Sequence, residues 1–261
     1  VTEFIDAIVE LDGATIHTRT WNPVGASSSA PQMVFLHDGL GSVAQWRNVP
    51  AAVAERTGST VLAYDRPGHG ASTPVPTGPW PAHWLRSEAD RLDRILDAVG
   101  ADRPLLIGHS DGGSIALLHA AHHRAGRGVV AIAAHAWLEV EAVRAIQHLR
   151  DASGVVVEKL GRHHAHPREL FEAWSGVWTG VDFSTWDIRP DLAAITAPCH
   201  IIQGDDDEYG TSLQATDTAA VIGSNATCTM VPAGHHLLHH EHPELVAEMV
   251  CAFWEELCVG N

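Results

Sequence analysis

The stretch Leu105-Leu106-Ile107-Gly108-His109-Ser110-Asp111-Gly112-Gly113 constrains this chain more than any other. An apolar, strand-length run enters Gly-x-Ser-x-Gly, and Ser114-Ile115-Ala116-Leu117-Leu118-His119-Ala120-Ala121 continues with good helix formers. The pattern reads as a strand, a very tight turn and a helix, with Ser110 at the apex. Gly108 and Gly112 are needed there because a Cβ at either would collide with the neighbouring strand or helix. The first N–H groups of the helix then point at whatever sits on Ser110, where they stabilise negative charge. A glycine-rich turn that merely carries a serine is the alternative, and the strand before it and helix after it favour a serine nucleophile.

With 261 residues, 45% of them hydrophobic, the chain can bury the core of one large α/β domain without disulfides or metals. Its apolar runs are strand-length, far below the roughly 20 residues of a membrane span. The formal charge is −16, and Lys159 is the one lysine. Nucleic acid and anionic membrane are therefore not expected as partners, since both require a basic face. No basic segment followed by an apolar run opens the sequence, and Cys199, Cys228, Cys251 and Cys258 are scattered with no Cys-x-x-Cys. A cytoplasmic protein with reduced thiols is the expectation.

Glu3–Val9 and Ala14–Trp21 alternate around Asp12-Gly13, an antiparallel hairpin for a sheet edge. After the Ser-, Gly- and Pro-rich loop Asn22–Pro31, short apolar strands are expected at Gln32–Leu36, Thr60–Tyr64, Leu105–His109, Val129–Ala134, Pro198–Gln203 and Ala226–Val231. Helices are expected at Val43–Arg56, His83–Val99 (after a Pro-rich loop, Pro74–Pro81), Ser114–Ala121, Ser212–Ile222 and Pro243–Leu257. Strand and helix alternate from residue 32, so the sheet is expected to be mainly parallel with helices on both faces. The loops His37–Ser42, Asp65–Ser72 and Gly108–Gly112 then leave the carboxyl ends of strands and converge on one crevice.

Between residues 136 and 190 the alternation stops. Helical patterns replace it (Leu138–Arg150, Val155–His163, Pro167–Val177), with Trp137, Trp174, Trp178 and Trp186 concentrated among them. The expectation is a helical cap inserted into a core formed by residues 1–135 and 191–261, with Trp137, Trp174 and Trp178 lining an aromatic pocket. His135, at a strand end, joins that lining.

A serine hydroxyl is a weak nucleophile near neutral pH and needs a base, usually a histidine oriented by a carboxylate. An acidic cluster, Asp205-Asp206-Asp207-Glu208, follows one later strand, and His235-His236 with His239, His240 and His242 follows the next. The order Ser, Asp, His is the one that such sheets use. His239/His240/His242 and His163-His164-x-His166 read as solvated, His-rich turns rather than metal sites, for want of a placed carboxylate.

Over essentially its whole length the sequence resembles the α/β-hydrolase superfamily. The matching features are His37-x-Gly39-x-Gly41, Asp65-Arg66-Pro67-Gly68-His69-Gly70-x-Ser72, the turn Gly108–Gly112, Gly204-x-x-Asp207 and the terminal histidine motif. The variants His-Asp-Gly-Leu-Gly-Ser and Gly-His-Ser-Asp-Gly-Gly-Ser are similar to those of a bacterial subgroup of unassigned substrate. The resemblance implies a mostly parallel, eight-stranded sheet flanked by helices, with the cap inserted. It implies Ser110 as nucleophile and Asp207, three residues after the strand-ending glycine, as the acid. For the base, Gly234 favours His235, whereas the spacings from Pro232 and to Glu241 both select His236, and His236 is expected as the base. The oxyanion hole is expected from the N–H of Asp111 and that of Gly39 or Leu40. Asp65 and His69 are expected to brace the loops. Asp111 reads either as a carboxylate at a helix N-terminus or, with Asp38, as an acidic pocket mouth that disfavours anionic substrates.

The expected reaction is cleavage of a small carboxylic ester or thioester through an acyl-enzyme, needing no metal or organic cofactor. Dehalogenases and epoxide hydrolases on this fold need Asp where Ser110 stands. A C–C bond hydrolase or a prolyl-type aminopeptidase would use the same three residues, and cofactor-free oxygenases or small-molecule receptors would keep the fold. The partners expected are a small-molecule substrate and, among assemblies, a homodimer.

Overall fold

Alternation sets the edge of the sheet. In the computed structural model, which describes residues 3–26, 28–74, 78–123 and 126–259, β1 (Phe4–Leu11) and β2 (Ala14–Trp21) pair antiparallel with Leu11 opposite Ala14. Asp12 and Gly13 between them both have positive φ (53° and 77°), the turn whose twist matches that of the flanking strands. Residue 27 of the Asn22–Pro31 loop and residues 75–77 of the Pro74–Pro81 loop lie outside the described residues.

The inner strands are β3 (Met33–Leu36), β4 (Val61–Tyr64), β5 (Leu105–His109) and β6 (Gly128–Ile132), all wholly buried, followed by β7 (Cys199–Gly204) and β8 (Ala226–Val231). The eight strands lie in the order β1-β2-β4-β3-β5-β6-β7-β8, and every pairing beyond β2 and β4 is parallel. Strands covered on both faces have no polar side to alternate with, hence their continuous apolar runs.

Side chains still divide by parity. Val34, Leu36 and Leu106 face one cluster, with Leu92 and Ile95 of α2 (Trp84–Ala98) and Ile115 and Leu118 of α3 (Asp111–His122). Met33, Phe35, Leu105 and Ile107 face the other, with Val53 and Ala54 of α1 (Val49–Thr57). The expected helix Val43–Arg56 is therefore shorter than its pattern. A single 3-10 turn, Val43–Trp46, ends at Arg47 (φ 52°), and α1 begins afresh with Pro50 in its first turn. Pro50 has no N–H to continue a helix arriving from Trp46.

Between β6 and β7 the chain forms α4 (Val140–Asp151), α5 (Ser153–Leu160), α6 (Pro167–Trp178) and the short α7 (Arg189–Leu192). Aromatic side chains of this segment continue the first cluster: Trp178 meets Phe183 edge-on at 5.0 Å, and Phe183 stacks on Trp186 at 4.9 Å. The chain ends with α8 (Leu213–Ile222), the short α9 (Leu238–Glu241) and α10 (Pro243–Val259), whose Val246, Val250 and Trp254 complete the second cluster. Among the described residues no helix is long and apolar enough to cross a membrane.

Candidate active site

Ser110 sits at the junction of β5 and α3 with φ 52° and ψ −120°, a conformation that costs an L-residue energy and projects its side chain from the turn. The flanking glycines make that turn sterically feasible. A Cβ on Gly108 would lie 2.2 Å from Gly112 O, and one on Gly112 would lie 2.2 Å from Leu36 O. The Ser110 N–H donates to Ile132 O at 2.8 Å, tying the turn to the neighbouring strand.

The loops after β7 and β8 bring the partners. Ser110 Oγ lies 3.0 Å from His236 Nε2, and His236 Nδ1 lies 2.9 Å from Asp207 Oδ1 and 3.1 Å from Oδ2. Since the carboxylate can only accept, Nδ1 carries the proton and Nε2 is left to accept from the serine. All three side chains are buried. Burial pushes the Asp207 carboxyl upward, but the His236 ring and the Tyr209 N–H outweigh it and hold it below the usual carboxylate range. Burial likewise pushes His236 down, and Asp207 more than offsets this, raising the imidazole above its ordinary value.

Packing decides between the adjacent histidines. Gly204 lacks the Cβ that would stand 2.0 Å from Gly234 O, so the β8 loop closes onto the β7 loop, with the Asp206 N–H donating to Gly234 O at 3.0 Å. The His235 ring is thereby turned outward, its Nδ1 3.1 Å from Asp206 O. His236 points inward, between the rings of Tyr209 (4.5 Å) and His109 (5.0 Å). Asp205 accepts the Ala233 N–H and stays at the surface of the turn.

Of the candidate oxyanion donors, Asp111 is the first residue of α3, where an N–H has no partner within the helix. Leu40, the alternative to Gly39 as the donor from the His37 loop, gives its N–H to Asp38 Oδ1 at 2.9 Å, which leaves Gly39. Asp38 O accepts Arg66 Nη2 at 2.7 Å and His37 Nδ1 at 2.8 Å. In a trans peptide the following N–H, that of Gly39, points the opposite way.

Beside Ser110 lies a cavity of about 360 Å³. The core contributes Ser110, Asp111, His135 and His236, and the insertion contributes Ile146, Leu160, Trp174 and Trp178. His135 is buried, donates from Nε2 to Tyr209 O at 3.2 Å, and is pushed down to about 4, mainly by burial. Trp137, expected in this lining, is not part of it. Its ring lies under the Arg189 guanidinium (4.3 Å) and its backbone bridges Asp187, because the chain turns outward there to begin the insertion.

Four contributors escaped the sequence reading. Gln203 Nε2 holds the acid loop through Gly210 O (3.0 Å) and Thr211 O (3.1 Å). His109, buried beside the serine, donates from Nε2 to His236 O at 2.8 Å. Tyr209 packs its ring, tilted, against the base, and Arg66 holds the His37 loop from within. All four lie within or beside the stretches that carry the family resemblance, but nothing in the sequence assigns them these contacts. The histidine-rich turns also differ from expectation. His239 is buried against Trp46 (4.7 Å) on α9, and His164 is buried between loops; each fills a gap in packed structure that sequence spacing does not reveal. Among the described residues no three His, Cys, Asp or Glu side chains are grouped to hold a metal ion.

Serine, carboxylate and imidazole on the ends of β5, β7 and β8 of a mostly parallel, eight-stranded sheet define the α/β-hydrolase class of architecture. The sequence profile of the alpha/beta hydrolase family matches residues 33–249, and the chain belongs to that family. It is 32% identical over 99 residues to an sn-1-specific diacylglycerol lipase of Mus musculus, a match spanning 38% of this chain and 31% of that protein. Identity to the 2-succinyl-6-hydroxy-2,4-cyclohexadiene-1-carboxylate synthase of Salmonella agona (strain SL483) is 26% over 249 residues, covering 84% of this chain and 92% of the relative. Among solved structures, the enol-lactonase from Burkholderia xenovorans LB400 superposes with a TM-score of 0.74 at 22% identity, over 95% of this chain and all of the other.

Proposed function

We propose that this family member is a serine hydrolase that cleaves a small carboxylic ester or thioester through an acyl-enzyme. The observation that carries the reading is the continuous hydrogen-bonded series Ser110 Oγ, His236 Nε2, His236 Nδ1, Asp207 Oδ1, facing a cavity walled by aromatic and aliphatic side chains. Ser110 Oγ attacks the carbonyl carbon as its proton passes to His236 Nε2. Asp207 keeps the imidazole oriented and stabilises its cation. The Asp111 and Gly39 N–H groups receive the oxyanion. As the tetrahedral species collapses, the C–O or C–S bond breaks and His236 returns the proton to the departing alcohol or thiol. Water, deprotonated by the same imidazole, then attacks the acyl group, and the carboxylic acid leaves with Ser110 restored.

Residues 136–190 serve as the cap in this scheme, with Ile146, Leu160, Trp174 and Trp178 covering the acyl chain and excluding water from the oxyanion. The Mus musculus relative is named a diacylglycerol lipase, and diacylglycerol is itself a carboxylic ester. The test is intact mass after a fluorophosphonate, on wild type and Ser110→Ala, beside turnover of p-nitrophenyl esters. One adduct on wild type, with adduct and turnover both lost in the variant, is expected. Full activity in Ser110→Ala overturns the scheme.

A further inference from the structure

The carbonyls of residues 37–40 are each held by a side chain. Arg66 donates from Nη1 to His37 O and from Nη2 to Asp38 O, and His69 Nε2 lies 3.0 Å from Gly39 O, to which it donates as the Nε2–H tautomer, with Nδ1 3.1 Å from Pro67 O. Arg66 and His69 follow β4 and belong to the core of the fold. The fourth donor does not. His164 Nε2 donates to Leu40 O at 2.9 Å, and His164 lies between α5 and α6, inside the inserted segment. Its other nitrogen, Nδ1, accepts the N–H of Gly70 at 2.9 Å. One imidazole of the insertion therefore grips two core loops at once, those after β3 and after β4.

The His164 residue is 5% exposed and its two bonds are part-buried, so their loss leaves Leu40 O and the Gly70 N–H without these partners at a site only partly open to water. The geometry fixes the ring as the neutral Nε2–H tautomer, because Nδ1 must accept. Burial, which pushes His164 below the usual histidine range, favours that neutral form.

We infer that His164 is a positioning residue supplied by the insertion to hold the Leu40 end of the loop that carries the Gly39 N–H. This rests on the hydrolase reading above. Docking of the helical insertion and completion of the oxyanion site become one event. With the insertion displaced, Arg66 and His69 still hold the entry of the loop, but Leu40 O is released and the loop beyond Gly39 loses its anchor. The loop then forms its productive shape only under a closed cap. The chemistry is thereby coupled to exclusion of water, and the acyl-enzyme is protected until the insertion opens.

The variants that test this are His164→Gln and His164→Leu. A glutamine amide offers one donor and one acceptor about as far apart as the two ring nitrogens, and so can serve both Leu40 O and the Gly70 N–H; leucine fills space and serves neither. With p-nitrophenyl esters, the leucine variant is expected to lose about tenfold or more in kcat with KM changed less than about threefold, since a displaced transition-state donor costs rate rather than binding. The glutamine variant is expected within about threefold of wild type in both. Should the leucine variant fail to fold, His164→Asn, whose amide oxygen can replace Nδ1 before the Gly70 N–H but which is too short to reach Leu40 O, carries the same expectation. Retained kcat in the leucine or asparagine variant, a loss confined to KM, or a glutamine variant as impaired as leucine overturns the inference. Fluorophosphonate labelling of wild type separates the two levels. A wild type that neither labels nor turns over overturns the hydrolase reading itself, whereas a wild type that does both beside an indifferent His164 overturns only the positioning role.

Discussion

Trp174 Nε1 donates a hydrogen bond to Asp111 Oδ2 at 2.9 Å, joining α6 of the insertion to the residue directly after Ser110. Both side chains are buried, and a Cβ on Gly39 would stand 2.4 Å from that same carboxylate oxygen. Carboxylate, indole and the Gly39 loop are thus packed against one another at the inner end of the cavity.

Asp111 gives a stability signature with a definite sign. Burial pushes its carboxyl up to about 6, against the opposing pull of Arg66 and the Trp174 bond. An unfolded aspartate titrates near ~3.9, so between about pH 4 and pH 6 the folded protein holds the proton longer. The contribution of this one carboxyl therefore falls as pH rises through that window, by on the order of 3 kcal/mol, and is constant above it, while buried histidines such as His135 and His164, held below the ordinary value, act in the opposite direction. Asp111→Asn keeps an acceptor for Trp174 and removes the titration. Urea denaturation at about pH 4 and pH 7 is expected to show the stability of the variant relative to wild type rising between the two pH values, the histidine contributions being common to both; an unchanged difference refutes the assignment.

The two neighbouring histidines separate kinetically. His236→Gln is expected to lower kcat/KM by about 10³-fold or more, as loss of a general base does. His235→Gln, whose ring lies outside on Asp206 O, is expected to stay within about threefold. Because Asp207 raises His236, the acid limb of the kcat/KM profile is expected to have its midpoint above the ~6.5 of a free imidazole. In Asp207→Asn that midpoint moves down. Equal losses in the two glutamine variants count against His236.

Asp65 ties three elements through one carboxylate. Oδ1 accepts the Val43 N–H at 2.7 Å, and Oδ2 accepts the Ala71 N–H at 3.0 Å and His17 Nδ1 at 2.7 Å. Burial alone would raise this carboxyl, yet His17 and the two N–H donors hold it below the ordinary range. Its contribution is present above the unfolded value of ~3.9 and is lost as pH falls through the folded one. Asp65→Ala leaves buried donors without an acceptor and is expected to cost about 3–5 kcal/mol at pH 7, read by denaturant unfolding. A cost below about 1 kcal/mol would show that the loops hold without it.

Cavity residues are expected to set acyl length. Ile146→Trp narrows the space beneath the insertion and is expected to shift preference toward shorter p-nitrophenyl esters by about tenfold in relative kcat/KM. Trp137→Phe, outside the cavity and against Arg189, is expected to leave that preference unchanged. A Trp137→Phe variant with altered chain-length preference would place Trp137 back in the pocket.

The strand-turn-helix at Ser110, the mostly parallel sheet and the position of the helical insertion were legible in the sequence because each rests on local physics. Apolar runs bury on both faces of a sheet, glycines are required where backbones touch, and Asp12-Gly13 acts on its own neighbours. The spacings around Asp207 and His236 belong to the same class, since a strand end delivers a side chain at a fixed offset. Tertiary packing alone decided what depends on pairs distant in the chain. It turned His235 outward through the contact of Gly204 with Gly234, took Trp137 out of the pocket, spent the Leu40 N–H on Asp38, and buried His164 and His239 where composition suggested solvated turns. A hydrogen bond such as His164 Nε2 to Leu40 O joins residues 124 positions apart, and neither residue's neighbours carry any trace of the other.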